Sequence, residues 1–401
     1  MKSDLIVVGA GPTGTFSALQ AARLGVEVTV FEEHDTIGFP SHCTGHLSLR
    51  GLKRLGLDLT GGIVENNFRK ATIYSPSGCK FSVEFSSPVT CIVDRELFDK
   101  HIGNMAVKAG VEILSGTRVD SLLLENGCIR GVSLKQRRKA AEFKSDVVIN
   151  AEGVASTLLK RVGMPTLDPQ MIVSGVEAEV DEAENLNLDC VEIYLDRRLA
   201  RGFFAWIAPR RNDTAKIGLA TVEGDPRRNL QHFVLKHRIA KQKLGRSTIR
   251  SIVCHPISLG GPISRTTYGG LLIVGDAASQ VKPTTGGGVI TGLTCAEIAG
   301  SIAAKAILRR DTSAGFLSEY EKRWKKTLGF DMWLMRSLRT MLNRFSDKQL
   351  DQIVSRCDKL GLAEDLKDVE DVDFQGTSLL RLSKRPRILL SALYFLKASL
   401  F

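Results

Sequence analysis

The sequence predicts an α/β fold: a parallel-sheet domain interrupted by a β-rich insertion and followed by a helical C-terminus. Three observations predict it. Short apolar runs at 4–8, 146–151 and 271–274 end at glycine or Glu-Gly, as buried parallel strands do. Helical spacing of apolar residues follows the first and the last of these runs. Between them, residues 171–220 are strand-rich, and 313–401 read as mostly helical.

The first run, Asp4-Leu5-Ile6-Val7-Val8, leads into Gly9-Ala10-Gly11-Pro12-Thr13-Gly14. Residues 15–24 carry Phe16, Leu19, Ala22 and Leu24 at helical spacing, and Val26–Phe31 is a second strand that ends at Glu32. This strand–turn–helix–strand–acid unit is Rossmann-like. Gly9 permits the tight turn, Gly11 lets the backbone approach a pyrophosphate, and Gly14 lets the helix pack on the strand. The helix N-terminus offers free N–H groups and a positive dipole end to phosphates. Glu32 lies eighteen residues past Gly14, near the spacing of a carboxylate that binds ribose hydroxyls. The unit predicts a dinucleotide site.

Residues 38–50 read as a loop, Gly38-Phe39-Pro40-Ser41-His42-Cys43-Thr44-Gly45 and onward. Residues 71–93 alternate as strands, and Asp94 caps a helix that runs to about residue 109. Short strands fill 111–134, with a turn at Glu125-Asn126-Gly127. The strand at 146–151 ends at Glu152-Gly153, and the strand at 271–274 closes at Gly275-Asp276. Gly286-Gly287-Gly288 opens a long helix from Val289 to Leu308. The expected organisation is a discontinuous nucleotide domain (1–70, 94–165 and 265–312), a β-rich substrate domain (71–93 and 166–264) and a helical C-terminal region (313–401).

The 401 residues, 43% hydrophobic and 25% charged, suit a soluble globular chain with a large core. No signal peptide or run of about 18 apolar residues is visible. Eight cysteines without a C-x-x-C pair argue against zinc and against a disulfide framework, so a cytoplasmic setting is expected. The net charge is +11, yet no nucleic-acid motif is present. Six acids lie in 364–373, whereas 375–401 holds none and carries Arg381, Lys384, Arg385, Arg387 and Lys397 beside an apolar stretch from Ile388 to Phe401. That stretch suits either an interfacial anchor on the inner face of a membrane or packing on the protein's own core.

Several motifs carry a resemblance. Gly275-Asp276-Ala277-Ala278 after a buried strand, Val93-Asp94-Arg95, and Ala151-Glu152-Gly153 resemble motifs of the FAD-binding fold of the glutathione reductase and aromatic hydroxylase type. Glu152 stands where that motif has Asp. Within that superfamily, Pro40-Ser41-His42-Cys43-Thr44-Gly45 resembles the Pro-x-x-Cys-x-Gly loop of the geranylgeranyl reductase family, which includes archaeal digeranylgeranylglycerophospholipid reductases. Phe204-Ala205-Trp206-Ile207-Ala208-Pro209 resembles that family's aromatic-x-Trp-x-x-Pro motif, with Phe204 where Tyr is common and Ala208 where Phe is common. Residues 275–289 resemble its second FAD motif. The resemblance covers roughly residues 1–330.

The resemblance implies FAD, held by Gly9, Gly11, Gly14, Glu32, Cys43, Thr44, Gly45, Arg95, Glu152, Gly153, Gly275, Asp276, Gly286, Gly287, Gly288 and Val289. The Gly286–Gly288 run at a helix N-terminus supplies N–H groups to the flavin edge that becomes anionic on reduction. It implies a prenyl lipid substrate lined by Phe204, Trp206 and Pro209. Phe204 and Trp206, two apart, share one strand face; alone, they are as consistent with core. Cys43 and His42 are the candidate catalytic groups. The expected reaction is reduction of C=C bonds by hydride from reduced flavin. Electrons are expected from a reduced ferredoxin, a deazaflavin or NAD(P)H. Two other functions fit the same fold: an FAD monooxygenase or halogenase, and a non-catalytic prenyl-binding escort.

Overall fold

A computed structural model describes residues 2–135, 140–369 and 371–391. The chain divides into two units. One takes Met1–Ser41, Arg95–Met171 and Ser258–Trp333; the other takes His42–Asp94, Ile172–Ile257 and Leu334–Phe401.

The first unit is built on an eight-stranded sheet. Its centre is parallel: Lys2–Val8 lies between Val28–Phe31 and Ala140–Asn150, and Leu271–Ile273 pairs with the far side of Ala140–Asn150. Val7 is in register with Val30 and with Ile149. These strands are buried on both faces, which is why their sequences are apolar runs rather than alternations. Val119–Glu125 and Cys128–Lys135 form an antiparallel hairpin, and the connecting Asn126 and Gly127 both have positive φ (51° and 77°), as a tight two-residue turn requires. Helix Pro12–Ala22 packs on helix Val289–Leu308 at close range. A Cβ on Gly292 would sit 2.8 Å from Thr13 Oγ1, so glycine sets the helix separation. Val289–Leu308 is long and apolar enough to cross a membrane, contrary to the reading that no such run exists, but 72% of its most apolar window is buried in the protein and it serves as the core helix here.

The second unit holds a seven-stranded sheet in the order Thr248–Ser258, Ile172–Asp181, Ala215–Thr221, Ala205–Pro209, Cys190–Tyr194, Lys70–Tyr74, Lys80–Glu84. One face buries Val176, Ala178, Ala205, Ile207, Ile217 and Leu219 under helix Pro226–Lys236. A separate three-stranded sheet joins His46–Ser48, Thr90–Val93 and Val64–Phe68. Residues 38–50 are therefore not wholly a loop. Because 46–48 and 64–68 pair with 90–93, the segment from His42 groups with the strand-rich unit, not with the nucleotide domain as the sequence suggested.

The C-terminal helices do not form a region of their own. Ala314–Leu342 begins in the first unit, and Asp347–Lys359, Leu362–Leu366 and Gln375–Leu382 pack through Val354, Leu362 and Leu382 on Phe81 of the outer strand. Ile388 joins this cluster, whereas Leu389 and Leu390 are 51% and 55% exposed. The rest of the expected apolar segment, from 392 on, lies outside the described residues.

Candidate active site

In the first unit the glycine-rich turn is shaped by contacts. Gly9, at φ +95°, donates its N–H to Phe31 O (2.8 Å), and a Cβ there would lie 2.5 Å from Ala151 O. Gly14 packs against Gly9 O in the same way. A Cβ on Gly11, by contrast, would touch no protein atom within 4 Å. Glycine thus gives close packing on the sheet side and an open approach to the backbone at Gly11. Helix Pro12–Ala22 has no side-chain cap and no acid in its first turn, which leaves its N–H groups for an anion.

Glu32 is buried and oriented. One carboxylate oxygen accepts from Ala10 N–H (2.7 Å), and the other from His34 N–H (2.9 Å) and meets His34 Nδ1 (2.7 Å). The predicted ribose-binding acid is therefore fixed to the glycine turn that it would serve with.

A Cβ on Gly288 would lie 3.0 Å from Asp276 Oδ1, so the two ends of the 275–289 motif meet. Burial pushes the Asp276 carboxyl above its ordinary range, and the charge of Arg95 partly opposes this. Arg95 is held by Asp99 through two bonds of 3.1 and 2.9 Å. The glycine run closes on itself: Gly286 N–H donates to Lys282 O (2.8 Å) and Lys282 N–H to Gly287 O (3.1 Å). Helix Val289–Leu308 then starts with no side-chain cap. Behind this turn, Gly275 N–H donates to Gln280 Oε1 (2.8 Å), Gln280 Nε2 to Tyr320 Oη (2.8 Å) and Tyr320 Oη to Ile273 O (2.9 Å). Sequence reasoning missed this buried network, in which Tyr320 joins residues 40 and 47 positions away.

The Glu152 carboxylate is engaged within the protein. Its carboxylate accepts from Leu158 N–H (2.8 Å), Leu159 N–H (3.4 Å) and Asn150 Nδ2 (2.8 Å). The extra methylene relative to Asp lets it cap helix Thr157–Arg161 from outside, while Gly153 starts the intervening turn. In this structure its carboxylate serves as a helix cap.

In the second unit the Cys43 loop is tied down at each residue. His42 stacks on His255, ring centroids 5.1 Å apart. Thr44 Oγ1 donates to Glu177 Oε2. Gly45 N–H donates to Cys43 Sγ (3.4 Å), and Gly45 O accepts from Val93 N–H (2.9 Å). Val93 O in turn accepts from the buried Lys216 Nζ (3.1 Å), which pairs with Glu65 at 2.9 Å. Arg210 bridges Glu65 and Glu179 (2.9 and 3.1 Å). Burial works against the Arg210 charge, but Glu179 and Glu65 more than offset it and hold its pKa above the usual value.

Register places these groups together. Glu177 pairs with Gly218, and Gly218 with Trp206, so the three form one cross-strand row on the face opposite the apolar core. Phe204 stacks on Phe203 (4.1 Å) and meets Trp206 edge-on (6.1 Å). Pro209 does not join them. It is odd where Phe204 and Trp206 are even, pairs with Ala215 of the core face, and is buried there. Strand alternation thus separates it from the aromatic pair it was grouped with. Glu177, Lys216 and Gly218 were missed. Lys216 and Gly218 had a signal, a lone charge and a glycine inside the apolar strand Ala215–Thr221.

A family model described as FAD binding domain matches residues 2–326. Digeranylgeranylglycerophospholipid reductase of Methanocaldococcus jannaschii is 31% identical over 390 residues, covering 96% of each chain. The chain belongs to this FAD-binding reductase family. Its cofactor is FAD, and the residues present fit it: an open approach at Gly11, two uncapped helix N-termini, the buried Glu32 and the half-buried Asp276. Two solved structures share the fold of this reductase-family chain. A geranylgeranyl bacteriochlorophyll reductase-like protein from Thermoplasma acidophilum superposes with a TM-score of 0.86 at 23% identity, covering 98% of this chain and 99% of that one. A flavin-dependent brominase gives 0.72 at 15% identity, covering 96% of this chain and all of that one.

Proposed function

We propose that this FAD-dependent oxidoreductase reduces C=C bonds in the geranylgeranyl chains of archaeal-type membrane glycerophospholipids. The observation that carries the reading is the bond from Thr44 to Glu177. It fixes the Cys43 loop on the sheet face that carries Trp206 and Phe204. A thiol loop bonded to the face that carries two aromatic rings supports a site that can hold an apolar chain beside a proton donor.

Reduced FAD, when bound, supplies a hydride to one alkene carbon. The chain supplies the rest. Gly11 and the uncapped helix N-termini bind the cofactor's phosphates and its anionic edge. Phe204 and Trp206 orient a flat apolar chain and exclude water. We assign delivery of the proton to the second carbon to Cys43, with His42 as its neighbour in the loop. An apolar wall reads no polar group, so successive double bonds of one prenyl chain can occupy the same place. The electrons come from an external donor: a ferredoxin, a deazaflavin or NAD(P)H.

The test is product analysis. The protein is incubated without oxygen, with chemical reductant and a digeranylgeranyl lipid, and the lipid is weighed by mass spectrometry. Gain of two hydrogens per double bond is expected. An unchanged lipid, with flavin that turns over only when oxygen is admitted, would replace this reading with an oxygenase.

A further inference from the structure

The exposed large apolar side chains include two aromatic neighbours on the long helix Ala314–Leu342. Phe330 is 44% exposed and Trp333 is 63% exposed, the highest value among the exposed large hydrophobics of the described residues. Their rings lie 6.2 Å apart. The core face of the helix is formed by Tyr320, Trp324, Leu328 and Met332, all buried.

At 100° per residue, Lys322, Lys326, Phe330 and Trp333 fall on a single stripe opposite that core face. Arg323 and Lys325 flank the stripe, each in an ion pair one turn back with Glu319 and Glu321. Between Lys322 and Trp333 the single acid is Asp331, and it is buried. The solvent face of this turn sequence is therefore cationic around an aromatic centre.

We propose that this face docks the protein on an anionic lipid bilayer. Trp and Phe prefer the boundary between headgroups and acyl chains, and lysines beside them snorkel to anionic headgroups. Lys322 and Lys326, exposed beside the rings, give this face the positive charge that an anionic headgroup layer complements. The net charge of +11 adds long-range attraction to the same kind of surface. The inference is independent of the substrate assignment, because docking is read without turnover.

The experiment uses the full-length holoprotein and vesicles of phosphatidylglycerol mixed with phosphatidylcholine, compared with pure phosphatidylcholine. The chain has three tryptophans; Trp324 is buried and Trp206 half-buried, so Trp333 is the exposed reporter. Vesicle binding is expected to shift tryptophan emission to the blue and to weaken with salt. F330S/W333S and K322E/K326E should each reduce binding to anionic vesicles by on the order of tenfold or more. W333F should keep the binding and lose the emission shift. Flavin content and far-ultraviolet circular dichroism should stay as in the wild type, since all four side chains lie on the solvent face. Equal binding by wild type and both double variants would overturn the proposal and move docking elsewhere on the chain. So would absence of vesicle binding, or concentration-dependent self-association that F330S/W333S abolishes, which would make the face a contact between copies.

Discussion

The indole of Trp206 lies against the backbone of Gly218. A Cβ on Gly218 would sit 2.7 Å from indole Cε2 and 2.6 Å from Val176 O. The aromatic wall is thus set by a residue without a side chain, on the strand next to it.

Gly218→Val should therefore displace Trp206. Overpacking of this kind costs about 1–3 kcal/mol. The expected outcome is a lowered urea midpoint and a loss of lipid reduction on the order of tenfold or more, with flavin content retained. Flavin absorbance per protein, urea unfolding and product analysis check the three parts.

Glu32→Gln should weaken FAD binding. Glu32 accepts backbone N–H groups on both oxygens, and the amide of Gln would turn a donor toward one of them. Leaving such a group unsatisfied costs about 1–3 kcal/mol, or about five- to 150-fold in affinity. Titration of the apoprotein with FAD measures it.

Glu152→Ala should destabilise the protein without a comparable loss of FAD affinity. Removing a capping oxygen costs about 0.5–2 kcal/mol. A change confined to FAD affinity would return Glu152 to the cofactor.

His237 gives a pH dependence. It is buried, its Nδ1 accepts from Ala240 N–H (3.1 Å), and burial lowers its pKa from the ordinary 6.5. The neutral ring is the one that fits. A depressed folded-state value means the contribution is full above 6.5 and is lost as pH falls through the folded value. The urea midpoint should drop below pH 6.5 in the wild type, and drop less in His237→Gln.

The nucleotide half was legible because its signals are local. Glycines at 9, 11 and 14, an apolar run on either side and an acid at fixed spacing specify that unit within 32 residues. The turn at Asn126-Gly127 was legible for the same reason. The Thr44–Glu177 bond joins residues 133 apart, and nothing in either neighbourhood announces the other. The strand His46–Ser48 is three residues long and exists through its pairing with Thr90–Val93. Glu152 looked like a variant of a cofactor residue because the residues it caps follow in a turn that has no periodicity. The place of Pro209 was readable: its parity along the strand already separates it from Phe204 and Trp206.

The central claim is that a prenyl alkene takes the hydride. The most direct measurement mixes anaerobically reduced protein with a geranylgeranyl lipid and follows the flavin spectrum, for wild type and Cys43→Ser. The account predicts reoxidation that depends on lipid concentration in the wild type and is slowed at least about a hundredfold in the variant, the scale of a lost proton-transfer group. Reduced flavin that ignores the lipid and reoxidises with oxygen alone would contradict it.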